Sequence, residues 1–149
     1  MVAGWLETPE VLRWWGDSRE QLVLIAEDLN EPMMRQWLAE YEGNAFAYLQ
    51  AYSAAAWQQA HLMHLPTAGE VIDVFIGDPT MIGRGHGRAF LRKFAEMLIV
   101  EGASLVATDP LFENYRARRA YLRAGFVDDQ FVSTADGLVT VMLYKPNQP

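Results

Sequence analysis

The chain has 149 residues, 51% hydrophobic and 21% charged, with a formal charge of −7 at pH 7 and no cysteine. That is enough chain for one domain with its own core, short for two, and its balance excludes a disordered or membrane-spanning polypeptide. Lack of cysteine excludes disulfides, thiolate metal ligands and a cysteinyl-enzyme intermediate, while the acidic balance argues against nucleic acid and is compatible with a cationic small-molecule partner. No signal-peptide pattern opens the chain, so a cytoplasmic protein without a membrane partner is expected.

Residues 5–15 carry Trp5, Leu6, Val11, Leu12, Trp14 and Trp15 around Thr8-Pro9, which predicts a helix with Thr8 as cap and Pro9 at its first position. Residues 18–29 place Leu22, Ile25, Ala26 and Leu29 at helical steps behind Ser18 as N-cap, and Pro32 ends the pattern. Two aromatic-rich strands follow at 34–41 and 45–52, joined by a hairpin turn at Glu42-Gly43-Asn44. Ala54-Ala55-Ala56-Trp57 suggests the start of a short helix, and Pro66-Thr67-Ala68-Gly69 a loop. The remaining elements are a central strand at 71–76, the longest helix at 85–101 stopped by Gly102, a strand at 104–108, a helix at 114–124, and strands at 126–134 and 138–145. With no internal repeat or linker, the pattern predicts one α/β domain over 1–149, built on a mixed sheet.

Residues 82–87 read Ile-Gly-Arg-Gly-His-Gly between the central strand and the longest helix. Glycines there let backbone approach a ligand closely, and the free N–H groups and dipole of a helix start favour a phosphate. A dinucleotide fingerprint fits poorly, because Gly77-Asp78-Pro79 makes the strand-to-helix turn too long. Further on, Thr108-Asp109-Pro110 ends a strand and is followed by Asn114, Ala117, Tyr121 and Gly125-Phe126.

Together, these two motifs resemble the GNAT superfamily of acyl-CoA-dependent N-acetyltransferases, across roughly residues 70–145. The resemblance implies a mostly antiparallel mixed sheet flanked by helices, acetyl-CoA as co-substrate, no metal, and direct transfer to an amine. It implies that main-chain groups near Val74, Phe75 and Ile76 bind the pantetheine arm and the thioester oxygen. Ile82, Gly83, Arg84, Gly85, His86 and Gly87 would hold the pyrophosphate, with Asn114 and Ala117 completing the cofactor site. Ile82 departs from the family, which usually has Gln or Arg there, so that contact would fall to backbone. The resemblance implies Tyr121 as the usual candidate for protonating the departing thiolate; read from its spacing alone, it is more readily a core tyrosine on a helix. The chain also departs from the family in lacking a strand before its first helix. The edge so left invites pairing with another chain, and a homodimer is an open expectation.

Asp73 sits among apolar neighbours on the central strand, where a carboxylate is costly to bury unless paired or functional. Asp109 stands at the strand end where α/β ligands bind, although a turn residue before Pro110 is the plainer explanation. The opening Trp5-to-Trp15 stretch, the strand Tyr48-Leu-Gln-Ala-Tyr52, Ile72-Asp73 and Thr108-Asp109-Pro110 resemble the aminoglycoside 6′-N-acetyltransferase branch. That likeness implies Asp73 and Asp109 on a cationic acceptor and Trp14, Trp15 and Trp57 as pocket walls; Asp73 is expected to orient and deprotonate the amine, with Asp109 or water left open as the base. Other amine acceptors (a siderophore hydroxylamine, a polyamine, a protein N-terminus) and a non-catalytic acyl-CoA or aminoglycoside binding module are the competing expectations. His61 and His64, three residues apart without further ligands, predict no metal site, and His86 occupies a variable loop position; none of the three is assigned a role.

Overall fold

A computed structural model describes residues 1–57 and 59–147; Gln58 and residues 148 and 149, which fall inside the expected 1–149 domain, lie outside the described residues. Three helices open the chain: α1 (Val2–Trp5), α2 (Pro9–Trp15) and α3 (Ser18–Asp28). The helix start expected at Thr8-Pro9 is found, with Thr8 as N-cap and Pro9 at the first position of α2, while Trp5 belongs to the separate α1: Pro9 has no N–H to continue a ladder across the junction, and Thr8 Oγ1 donates to the Trp5 carbonyl at 2.8 Å. Asp17, not Ser18, caps α3: its Oδ1 accepts from the N–H groups of Arg19 and Glu20, both at 3.0 Å. Only Ile25 of the expected apolar face of α3 is buried, since the helix lies against the rest along one narrow line and leaves Leu22 and Leu29 in solvent.

Six strands then form one sheet in the order β1-β2-β3-β4-β6-β5: β1 (Met34–Tyr41), β2 (Asn44–Ser53), β3 (Gly69–Ile76), β4 (Leu105–Thr108), β5 (Phe126–Thr134) and β6 (Gly137–Tyr144). Every neighbouring pair is antiparallel except β3 with β4, which are linked by α4 (His86–Val100); α5 (Tyr115–Ala124) connects β4 to β5. The helix expected at 54–57 is a turn, and the local helical turn comes later, at Ala60–Leu62. No described strand precedes α1, so β1 is a sheet edge; Arg35 and Glu40 and a bulge at Ala39/Glu40 blunt it against pairing.

The main core lies where α4 and α5 cover one face of the sheet. Leu91, Phe94, Ala95 and Leu98 of α4 and Tyr121 and Ala124 of α5 meet Leu49, Ala51 and Ile72 of the strands. A second cluster on the other face packs Leu6 and Val11 with Ile25, Tyr48 and Phe75, which pins the opening helices to the end of β3. Both helix layers therefore converge on the half of β3 that β4 does not cover.

Candidate active site

Pairing between β3 and β4 covers only Gly69–Val71 with Leu105–Ala107, after which the strands part. Gly77 N–H donates to Phe46 O at 2.8 Å and Ala54 N–H to Gly69 O at 3.0 Å, so odd-numbered residues of β3 turn their main-chain groups toward β2. Strand alternation then points those of Ile72, Val74 and Ile76 the other way. Thr108 Oγ1 takes the Ile72 carbonyl at 3.1 Å, and beyond it Val74 and Ile76 face the gap with no strand partner. Phe75, also expected to offer main chain, directs it to β2 instead; its contribution is the ring, stacked on Tyr48 at 5.2 Å and walling the gap.

The gap opens into a largely apolar cavity of about 120 Å³ lined by Val74, Phe75 and Ile76 of β3, Ile82, Gly87 and Phe90 around the start of α4, and Asn114, Ala117 and Tyr121 around α5. Between the lining residues Ile82 and Gly87, Gly83 (φ 75°) and Gly85 (φ 82°) take left-handed conformations that a side chain would strain, and nothing occupies the space where a Cβ would stand. Gly85 caps α4 without a side-chain bond, which leaves the first-turn N–H groups free for an anion. Arg84 lies exposed beside them, whereas His86 turns back to pack on Tyr41, with ring centroids 4.6 Å apart. Asn114 Oδ1 accepts from Ala117 N–H at 3.2 Å, so its side chain is the N-cap of α5 while also lining the cavity. This set suits a long, thin ligand with a phosphate-bearing end.

A second cavity of about 310 Å³, more polar than the first, shares Val74, Asn114, Ala117 and Tyr121 with it and adds Gln50, Asp73, Thr108 and Asp109. The parallel register explains the acidic pair: continuing Val71↔Ala107 by two residues sets Asp73 opposite Asp109 on the same sheet face, where the strands begin to separate. Burial first, then the neighbouring Asp109 charge, raise the Asp73 carboxyl from 3.8 to about 7, against the opposing effects of the Gln50 amide and His61. Gln50 Nε2 donates to Asp73 Oδ2 at 2.9 Å and its Oε1 accepts from Tyr48 OH at 2.9 Å; that hydroxyl in turn accepts from Gln36 Nε2 at 2.8 Å. Gln36 also reaches the Ile25 carbonyl of α3, so the chain of bonds ties Asp73 to the opening helices.

Asp109 Oδ2 lies 2.7 Å from His61 Nε2. The Tyr121 hydroxyl is pushed above the usual tyrosine range by burial; a hydrogen bond with Thr108 opposes this and the charges of Asp73 and Asp109 reinforce it. Tyr121 also packs edge-on against Phe126, at 5.2 Å, so the core and cavity descriptions of this residue both hold.

Trp14 and Trp15 line both cavities, and Trp15 is anchored edge-on against Phe75 at 4.8 Å. Trp57 lines neither; it packs on Tyr52 at 5.3 Å against a core cluster, because the turn after β2 carries it away from the opening. Gln50 and His61 have no assignment in the sequence reading, yet both touch the acidic pair. For Gln50 the available signal was a polar side chain at an inward position of an apolar strand. Among the described residues no group of three side chains is arranged to hold a metal ion, and no helix is long and apolar enough to cross a membrane.

An open-edged strand beside a glycine-rich helix start, with a carboxylate pocket adjoining it across a shared wall that includes Tyr121, is the arrangement of an acyltransferase. The chain belongs to the GNAT acetyltransferases: the model of the acetyltransferase (GNAT) domain matches residues 1–134. It is 26% identical to aminoglycoside N(6′)-acetyltransferase type 1 of Klebsiella pneumoniae over 156 aligned residues, covering 96% of this chain and 76% of that protein. It superposes on AAC(6′)-Ib in complex with paromomycin and acetyl-CoA with a TM-score of 0.83 at 26% identity, over 97% of this chain and 86% of the other. The same enzyme in complex with coenzyme A and kanamycin gives 0.82 at 25%, over 97% and 87%. The protein is thus an N-acetyltransferase with the mixed, mostly antiparallel sheet that the resemblance implied.

Proposed function

We propose that the protein transfers acetyl from acetyl-CoA to a primary amine of a small polycationic acceptor, the 6′-amine of an aminoglycoside. The observation that carries this reading is the junction at Tyr121 of an apolar slot along the open edge of β3 and a cavity holding two carboxylates. Relatives named as aminoglycoside acetyltransferases, solved with acetyl-CoA or coenzyme A and an aminoglycoside, support it. The donor's pyrophosphate suits the 82–87 loop and the first turn of α4, where Ile82 leaves the work to backbone N–H groups and Arg84 adds positive charge. Its pantetheine arm suits the unpaired main chain of Val74 and Ile76, as an added strand would.

Asp73 and Asp109 attract the acceptor's ammonium groups, with Trp14 and Trp15 as walls. Asp73, ionised as pH rises past about 7, takes a proton from the reacting ammonium and frees its lone pair. The nitrogen bonds to the thioester carbonyl carbon, the carbon–sulfur bond breaks, the thiolate takes the Tyr121 hydroxyl proton, and the nitrogen gives up its second proton to solvent, which also reprotonates the phenol and accepts the proton held by Asp73. With no cysteine in the chain, no acyl-cysteine intervenes.

The test is release of free thiol from acetyl-CoA with kanamycin, spermidine, hydroxylamine and a peptide bearing a free N-terminus as acceptors. Kanamycin is expected to turn over fastest and to carry the acetyl group on its 6′-nitrogen by NMR. Faster turnover of another amine overturns the acceptor, and tight coenzyme binding without thiol release for any amine reduces the protein to a binding module. A homodimer and a cytoplasmic location belong to the same reading; light scattering and cell fractionation test them.

A further inference from the structure

The most firmly held ionisable side chain without a role so far is His61. Its Nε2 meets Asp109 Oδ2 at 2.7 Å, and the two side chains are only 11% and 16% exposed, so solvent screens the contact weakly. The turn that carries it is anchored on both sides: Leu62 is 1% exposed in a core cluster with Tyr52 and Val71, and Gln59 Nε2 donates to Tyr52 OH at 3.2 Å. By contrast, the pairing of His64 with Asp129, at 3.0 Å, is about a third exposed on each side.

We propose that His61 is a positioning residue for the acceptor site, fixing the orientation of the Asp109 carboxylate and, when its ring is protonated, supplying the positive charge that offsets the Asp73–Asp109 pair. The proposal rests on the amine-acetylation reading above. Around Asp73, β2 contributes Gln50 and the phenols Tyr48 and Tyr52, the end of β4 contributes Asp109, and α5 contributes Tyr121, while α2 and α3 line the cavity with uncharged side chains. Among the groups acting on Asp73, His61 opposes the effect of Asp109. Two facing carboxylates without such a partner repel each other and lose definite geometry; one held from behind leaves the other free to exchange a proton.

Three substitutions separate hydrogen bond from charge. His61→Gln keeps an N–H for Asp109 without the charge, His61→Ala loses both, and Asp109→Asn removes the group through which His61 acts. With kanamycin as acceptor, His61→Ala is expected to raise KM about tenfold with kcat within about threefold, and His61→Gln to recover most of that loss. In an Asp109→Asn background, His61→Ala is expected to change KM no further. Without any acceptor, carbon-13 NMR of the Asp73 carboxyl in the free protein is expected to titrate about half a pH unit or more higher in His61→Gln, because the charge that the ring supplies when protonated has gone.

An Asp73 titration unmoved by His61→Gln, or a His61→Ala effect undiminished by Asp109→Asn, overturns the role of His61. Failure of the unsubstituted protein to acetylate kanamycin overturns the acceptor assignment alone, since the carboxyl titration reads His61 without substrate. If His61→Ala does not fold, His61→Gln carries the test.

Discussion

Replacing Asp73 by Asn tests stability and chemistry at once, because the carboxylate proposed as the base is one that the fold resists ionising. Moving the carboxyl from 3.8 to about 7 corresponds to roughly 4 kcal/mol of discrimination against the anion. The sign follows from proton binding. Between about pH 4 and 7 the unfolded chain has lost this proton while the native state still holds it, so stability falls by about 1.4 kcal/mol per pH unit and levels off above the native value. The Asp73→Asn amide would keep the acceptor oxygen that Gln50 Nε2 binds at 2.9 Å and would carry no charge at any pH. Urea unfolding of both proteins from pH 4 to 9 should therefore show Asp73→Asn gaining on the parent by up to about 4 kcal/mol as pH rises through 7. Over the same range kcat/KM for an amine acceptor should fall at least about a hundredfold, with loss of the acid limb near 7. A stability difference that stays flat from pH 4 to 9 would refute the burial argument, and an unchanged rate would remove Asp73 from the chemistry.

Tyr121→Phe keeps the ring packed on Phe126 and is expected to lower kcat by about a hundredfold while coenzyme affinity, measured by calorimetry, stays within about threefold. Gly77→Ala would drive a Cβ into the Trp5 ring, which holds α1 against the end of β3; about 1–3 kcal/mol of lost stability in thermal unfolding is expected, and none would mean that the contact is not made. Asn114→Ala removes the bond to Ala117 N–H that caps α5, with an expected loss of about 1 kcal/mol and a raised KM for acetyl-CoA as the start of the helix frays beside the slot.

Local chemistry made most elements legible in the sequence. Glu42 and Gly43 mark the hairpin, Gly102 and Gly125 the ends of α4 and α5, and alternating apolar residues the strands. What failed depended on competition between neighbours: Asp17 outcompetes Ser18 as a cap. Leu22 and Leu29 repeat at helical steps yet stay exposed, because periodicity identifies a face without saying whether anything covers it. The glycine loop and Tyr121 could be placed for a related reason, since backbone requirements and a helix register are properties of short segments.

The acidic pocket is of another kind, and its legibility stops at the sheet register. Sequence puts Asp73 in a strand and Asp109 at the end of another, but only the pairing of Val71 with Ala107 makes them opposite neighbours, and only the parting of β3 from β4 leaves room between them for a ligand. Gln50 and His61 enter through a second and third alignment, β2 on β3 and the 60–62 turn over the end of β4, which no spacing along the chain encodes. The parting that frees Val74 and Ile76 for a donor therefore also brings two carboxylates together beside it. A change that let β4 continue along β3 would close both halves of the site at once. For that reason the short β4, ended at Thr108 by a side-chain bond to the Ile72 carbonyl, is as much a functional element as the carboxylates it exposes.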